Sequence, residues 1–201
     1  MGLESVFAFL SVAILFIITP GIDTVYVLNK SLVKGKSAGI QSGLGINTAM
    51  FLQIIVLGLL ISLAVSKISV ILFVLKVVGA IYLSVLGGRL ILNRDTEEKP
   101  EAKEGNAFWG GMLTNLLNPK AAMFVIAFFP QFINDETLNN PMPYISLGLL
   151  YAAVGVLWLS LLAILAWKFN SFFKAGSKAK AIMNYITGLL FIFFAFVILV
   201  S

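Results

Sequence analysis

Apolar residues run along the chain in six long blocks, near Ser5–Leu28, Gly39–Val65, Ile71–Leu92, Phe108–Ile133, Tyr144–Trp167 and Ile182–Val200. Each is close to or above the roughly 20 residues a helix needs to cross about 30 Å of hydrocarbon. Leu, Ile, Val, Phe and Ala fill the blocks without period-two alternation, so they predict membrane helices rather than barrel strands. Ahead of the first block stands only one charge, Glu4, and Pro-Gly-Ile-Asp follows its apolar run where a secretory signal carries small residues for cleavage. This block is expected to be a retained helix.

One stretch is clearly hydrophilic: Arg94–Gly105, with eight charged residues in twelve, has the composition of a solvated linker. It leaves three blocks on either side, and an odd number of spans per half means that a repeated half is inserted upside down. The expected fold is therefore an all-α integral membrane protein of six transmembrane helices built as two inverted three-helix repeats. Residues 1–93 form the first repeat, 94–105 a charged cytoplasmic linker and 106–201 the second, within one membrane domain. Transporters of this build place their sites where two interrupted helices meet.

The first helix of each half carries such an interruption. Thr19-Pro20-Gly21-Ile22-Asp23-Thr24 follows the apolar run Val6–Ile18, and Asn115-Leu116-Leu117-Asn118-Pro119-Lys120 precedes Ala121–Phe129. Each proline removes a helical N–H and pushes away the carbonyl four residues back, Phe16 and Asn115 respectively, and Gly21 permits unwound geometry. Freed backbone groups cannot face lipid, so each break should face protein or a wet cavity. Each break is followed by an intramembrane charge, Asp23 and Lys120. Insertion of either at a helix centre costs about 2.5–3.5 kcal/mol, so pairing or hydration is expected. The two reach similar depth only if Ala107–Leu117 is tilted, re-entrant or interfacial, which Phe108 and Trp109 suit.

Charge sets orientation. Lys30, Lys34 and Lys36 in the first connection, Arg89, Arg94, Lys99 and Lys103 in the third, and Lys168, Lys174, Lys178 and Lys180 in the fifth lie on one side; Lys67 and Lys76 lie opposite. The positive-inside rule puts these three connections in the cytoplasm and both termini outside. Composition agrees: 60% of residues are hydrophobic, 11% are charged, and mean hydropathy is +1.01. A net charge of +5 on such a chain concerns topology, not nucleic acid. With no cysteine and no histidine, serine–histidine hydrolases, zinc proteases, thiol carriers and haem proteins are excluded, and neither a cofactor nor a resident metal is expected.

The other polar residues in the spans are Asn47, Thr48, Gln53, Thr114, Tyr26, Tyr82, Asn184 and Thr187; most such residues serve as interhelical hydrogen bonds. Gly35, Gly39 and Gly43, and Ala80, Ser84 and Gly88, repeat at four-residue spacing and predict close helix contacts, within the chain or in a homodimer. Phe191, Phe193, Phe194 and Phe196 are expected to face lipid.

TPGID in the first helix, GAIYLSVLGGRLIL at Gly79–Leu92 and NPKAAMFVIAFFPQF at Asn118–Phe132 resemble the lysine exporter/homoserine–threonine resistance (LysE/RhtB) translocators over the whole chain. The resemblance implies a multi-pass exporter of amino acids or close derivatives in the bacterial inner membrane, driven by the proton gradient, and not an enzyme. Thr19, Pro20, Gly21 and Asp23 match the family's first signature, and Asn118, Pro119 and Lys120 its second. The family usually has a second proline where this chain has Ile22, which bears on the rigidity of the first break. In the expected mechanism Asp23 holds the substrate ammonium and carries the coupling proton. Lys120 and N–H groups after Pro119 hold the carboxylate, with Asn115 and Asn118 beside them. Rival readings are a permanent Asp23–Lys120 pair holding the repeats together, an exporter of a metal ion or other small cation, and a scaffold subunit that transports nothing.

Overall fold

The computed structural model describes residues 6–63 and 105–169 continuously. It also describes residues 73, 77–78, 80–81, 84–85, 87–89, 91–92, 185–186, 188–189, 191–193, 195–196 and 199, scattered residues that are all helical. The continuous parts form α1 (Val6–Ile18), α2 (Ile22–Lys34), α3 (Lys36–Leu63), α4 (Ala107–Leu116), α5 (Pro119–Phe128) and α6 (Pro141–Lys168). Among the described residues, α3 and α6 are each long and apolar enough to cross a membrane. The pair α1 and α2 passes the same test as one span bent by 53°, and α4 with Lys120–Phe132 as one bent by 54°. Both expected breaks are present.

Local chemistry explains the ends. α1 stops where Pro20 has no N–H to offer, and Thr19 turns its hydroxyl back onto the Leu15 carbonyl at 2.6 Å. Asn106, Asn118 and Asn140 cap α4, α5 and α6, each side-chain oxygen accepting the N–H two residues on. Proline occupies the first position of α5 and of α6, where a missing N–H does no harm. A 3₁₀ turn, Phe129–Phe132, ends the fourth span.

Two expectations are corrected here. The first span runs past Leu28 to Lys34, and Lys30, assigned to a connection, lies inside α2, 1% exposed, with its ammonium 5.3 Å from the centre of the Tyr26 ring. A lysine lowers hydropathy but does not end a helix; Gly35 does, at φ +87°, a conformation that disfavours any Cβ. Gly35 is therefore the turn between α2 and α3 rather than part of a packing stripe, and nothing stands within 4 Å of where its Cβ would be. Likewise Ser84 is exposed and Gly88 borders open space, while the neighbouring Gly87 packs against the Gly188 carbonyl.

The stripe itself continues along α3. Gly39 meets Ala163, Gly43 meets Leu159, Asn47 meets Gly155, Ile54 meets Gly148 and Gly58 meets Tyr144, a regular antiparallel register between α3 and α6. The α3–α4 contact is tighter still: a Cβ on Gly45 falls 1.9 Å from the Phe108 carbonyl oxygen, and one on Gly111 falls 2.2 Å from that of Ser42. Backbones in lipid gain their attraction by such approach. Gly45→Ala is expected to force α3 and α4 apart at a cost of about 1–3 kcal/mol or more. Membrane abundance and thermal melting in detergent should fall sharply, whereas Gly88→Ala leaves both unchanged.

Aromatic packing joins α1 to α5. Phe16 and Phe124 stack with centroids 4.1 Å apart, and Phe9 meets Phe129 edge-on at 5.2 Å. Phe191 joins this core, 1% exposed, contrary to the lipid-facing expectation, which holds for Phe193 and Phe196. Phe194, Tyr82, Asn184, Thr187 and the basic loops around Lys99 and Lys178 lie outside the described residues.

Candidate functional site

The two breaks face each other, and every freed carbonyl finds a donor. Lys120, at the start of α5, extends its ammonium to the carbonyls of Phe16 (3.2 Å) and Thr19 (2.8 Å) at the end of α1. A cation there also complements the negative end of α1. The faces of Phe16 and Phe191 lie 4.5 and 5.2 Å from the same nitrogen, within the range of cation–π attraction. At the other break the Asn115 carbonyl accepts from the Asn118 N–H (2.9 Å) and from Gln53 Nε2 of α3 (2.9 Å).

Asp23 stands in the first turn of α2, where the positive end of the helix favours its charge. Its Oδ2 accepts from the side-chain amides of Asn115 and Asn118, both at 2.9 Å. Among the described residues its Oδ1, which is buried, has no hydrogen-bond partner. A buried acceptor left open costs about 1–3 kcal/mol, more when charged. Asp23 and Lys120 line one cavity without bonding each other: the carboxylate's partners are amides and the ammonium's are carbonyls. The direct bond that the rival reading of a permanent pair requires is not among the contacts of the described residues.

The cavity has a volume of about 40 Å³, room for on the order of three waters. Small-molecule pockets usually offer about 300 Å³ or more, so the structure is closed around its polar centre. Its lining mixes the polar Asp23, Asn47, Asn115, Asn118 and Lys120 with the apolar Ile17, Ile46, Met50 and Leu159. A three-donor ammonium with two donors on carbonyls keeps one N–H free. Asp23 and Lys120 thus stand in the lining of one small cavity, the carboxylate with one oxygen unpartnered among the described residues.

Of the residues expected at the site, Thr19, Gly21, Asp23, Asn115, Asn118 and Lys120 all line this cavity; Pro20 and Pro119 make its breaks. Thr19 contributes its carbonyl, since its hydroxyl is bound to Leu15. Gly21 departs from expectation: at φ −154° it is extended backbone that any residue adopts. Its Cβ would rest in ordinary contact with Lys120, 3.4 Å from Cδ. Tyr151 of α6 also lines the cavity, and sequence reasoning passed over it; a phenol mid-span, far from either interface, was the available signal. Thr48 and Thr114 bond to carbonyls of their own helices. Among the described residues no cluster of three or more acidic, histidine or cysteine side chains could hold a metal.

A family model, LysE type translocator, matches residues 14–201. The chain belongs to the LysE type translocators. Like other members it is a membrane transport protein and not an enzyme. The membrane protein YrhP of Bacillus subtilis is 28% identical over 96% of this chain and 97% of its own length. A leucine efflux protein of Klebsiella pneumoniae is 28% identical over 96% and 94%, and that of Salmonella typhimurium 26% over the same shares. No solved structure gives a significant match. The family assignment agrees with the resemblance seen in the TPGID and NPK-to-PQF segments, and amino-acid export is supported at the level of the family.

Proposed function

We propose that this LysE type translocator exports neutral aliphatic amino acids from the cytoplasm in exchange for protons, through six helices arranged as two inverted repeats. The observation that carries the reading is that Asp23, whose Oδ1 has no hydrogen-bond partner among the described residues, and Lys120 line one cavity together with the apolar Ile17, Ile46, Met50 and Leu159. Asp23 takes the substrate ammonium, Lys120 the carboxylate, and the Ile17, Ile46, Met50 and Leu159 wall the side chain. Among the described residues the lining holds no second carboxylate or ammonium for a charged side chain. Leucine efflux relatives support the same class. A small-cation exporter fits less well, since one carboxylate and four amide or carbonyl partners leave a divalent ion underprovided.

Asp23 is the one carboxylate among the described residues that line the cavity and so the group that carries the coupling proton. Protonation from outside removes the charge that holds the ammonium and releases the substrate there; the proton then leaves inward. The basic ends of the helices support the orientation: Lys36 at the start of α3 lies over the ring of Trp167 at the end of α6, 5.0 Å away, so the first and fifth connections share a side. Both termini are then external and the 94–105 linker cytoplasmic.

Expression in a host sensitive to amino-acid overload tests the substrate class. Protection against leucine, isoleucine and valine is expected, with none against lysine or glutamate. Protection confined to cationic amino acids, or to a metal salt, overturns it. Topology is checked with a cysteine at position 99, the native chain having none. An impermeant reagent should label it in inverted vesicles and not in intact cells; labelling in intact cells reverses the orientation.

A further inference from the structure

We infer that Gln53, on α3, is a positioning residue: it fixes the side-chain amide of Asn115 so that its N–H₂ faces Asp23. The inference deepens the proposed function and rests on its reading of Asp23 as the substrate-binding carboxylate. Gln53 is half-buried and does not line the cavity, so whatever it does at the site it does through another residue.

A primary amide has a donor end and an acceptor end of nearly the same shape, and only its partners decide which way it points. Asn115 has two candidate directions, toward Asp23 and toward α3. On the α3 side, Gln53 Nε2 stands 2.9 Å from the Asn115 carbonyl and 3.4 Å from Asn115 Oδ1. With a donor there, the acceptor end is drawn to α3 and Nδ2 is left for Asp23 Oδ2, at 2.9 Å. The flipped amide would set oxygen against oxygen at Asp23 and N–H against N–H at Gln53.

The consequence reaches the cavity. Asn118 also donates to Oδ2, so two amides converge on one carboxylate oxygen and turn the other, Oδ1, free. Remove the Asn115 donor and the carboxylate is held by one bond, with its oxygens no longer distinguished. Gln53 thereby decides which oxygen is offered to a ligand. It also parallels Lys120: each is the side-chain donor that serves a carbonyl freed by a proline, Asn115 by Gln53 and Phe16 by Lys120.

A double-mutant cycle separates this role from simple satisfaction of the Asn115 carbonyl, because Asn115→Ala removes the side chain and keeps the carbonyl. The primary readout needs no substrate. Only three aspartates occur in the chain, so ¹³C-aspartate labelling, with Asp23→Asn as the subtraction, isolates the infrared carboxylate bands of Asp23 in purified protein. Gln53→Leu should shift these bands in the native background and leave them unmoved in the Asn115→Ala background. An equal shift in both backgrounds, or none in the native one, overturns the proposal. If Gln53→Leu does not reach the membrane, Gln53→Asn, which withdraws the donor by one methylene, carries the same cycle. In leucine counterflow, Gln53→Leu should raise KM about tenfold with kcat nearly kept, an effect missing when residue 115 is alanine. Full export by Asp23→Asn defeats the parent reading alone, since the infrared cycle still reports on Gln53.

Discussion

Asp23→Asn is expected to abolish export while the protein remains folded and abundant. Asparagine has the shape of aspartate, and its own side-chain oxygen can still accept from the amides of Asn115 and Asn118. What changes is the other position, where an N–H₂ replaces the unpartnered oxygen Oδ1. A donor there repels the substrate ammonium and cannot carry a proton. Loss of an oppositely charged partner in a low-dielectric site commonly costs about 3–5 kcal/mol, equivalent to roughly 10²–10⁴ in counterflow at equal abundance. Leucine counterflow in proteoliposomes, normalised to protein incorporated, reads the effect. A variant that exports normally removes Asp23 from both binding and coupling and moves the site toward the asparagines at 115 and 118.

Lys120→Gln is expected to lose as much transport and, unlike Asp23→Asn, to lose stability as well. The ammonium holds two carbonyls at the end of α1 and lies over two phenylalanine rings. A neutral, shorter amide leaves at least one buried carbonyl open and forfeits the ring contacts, together about 2–4 kcal/mol. Thermal melting should therefore fall in Lys120→Gln and hold in Asp23→Asn. The Asp23→Asn/Lys120→Gln double variant should transport no worse than either single, because residues that act as a unit are not additive. It should also recover nothing, because the two charges do not bond each other. Restored abundance together with restored transport in the double variant would establish a structural pair and sink the two-ended clamp.

What the sequence made legible was the chemistry written along the backbone. Pro20 and Pro119 dictate where helices end whatever surrounds them, and both breaks stand where the prolines put them. Asn118 was singled out because it flanks the second break, and it also caps α5. Direction around a helix was not legible, because a uniformly apolar helix carries no polar stripe to mark its inner face. Phe191 therefore read as lipid-facing although it lies against Lys120, and Tyr151 was passed over although it lines the cavity. Lys30 read as a loop residue because hydropathy counts a cation as an exit from the membrane, while its stem and head pack inside α2 and its neighbours. Glycines at 45 and 111 gave no periodic signal, since each serves one crossing rather than a stripe.

The single residue between α2 and α3 leaves the chain no slack at that corner. A loop of several residues would absorb a tilt of α2; Gly35 can only act as a pivot, and the far end of α2 swings as a lever arm. Asp23 lies twelve residues from this pivot, about 18 Å along a helix rising 1.5 Å per residue. A rock of about 10° then carries its carboxylate about 3 Å, as far as the whole reach of its bonds to Asn115 and Asn118. A tilt too slight to disturb the packing near Gly39 is enough, at the other end, to break the carboxylate's bonds to both amides.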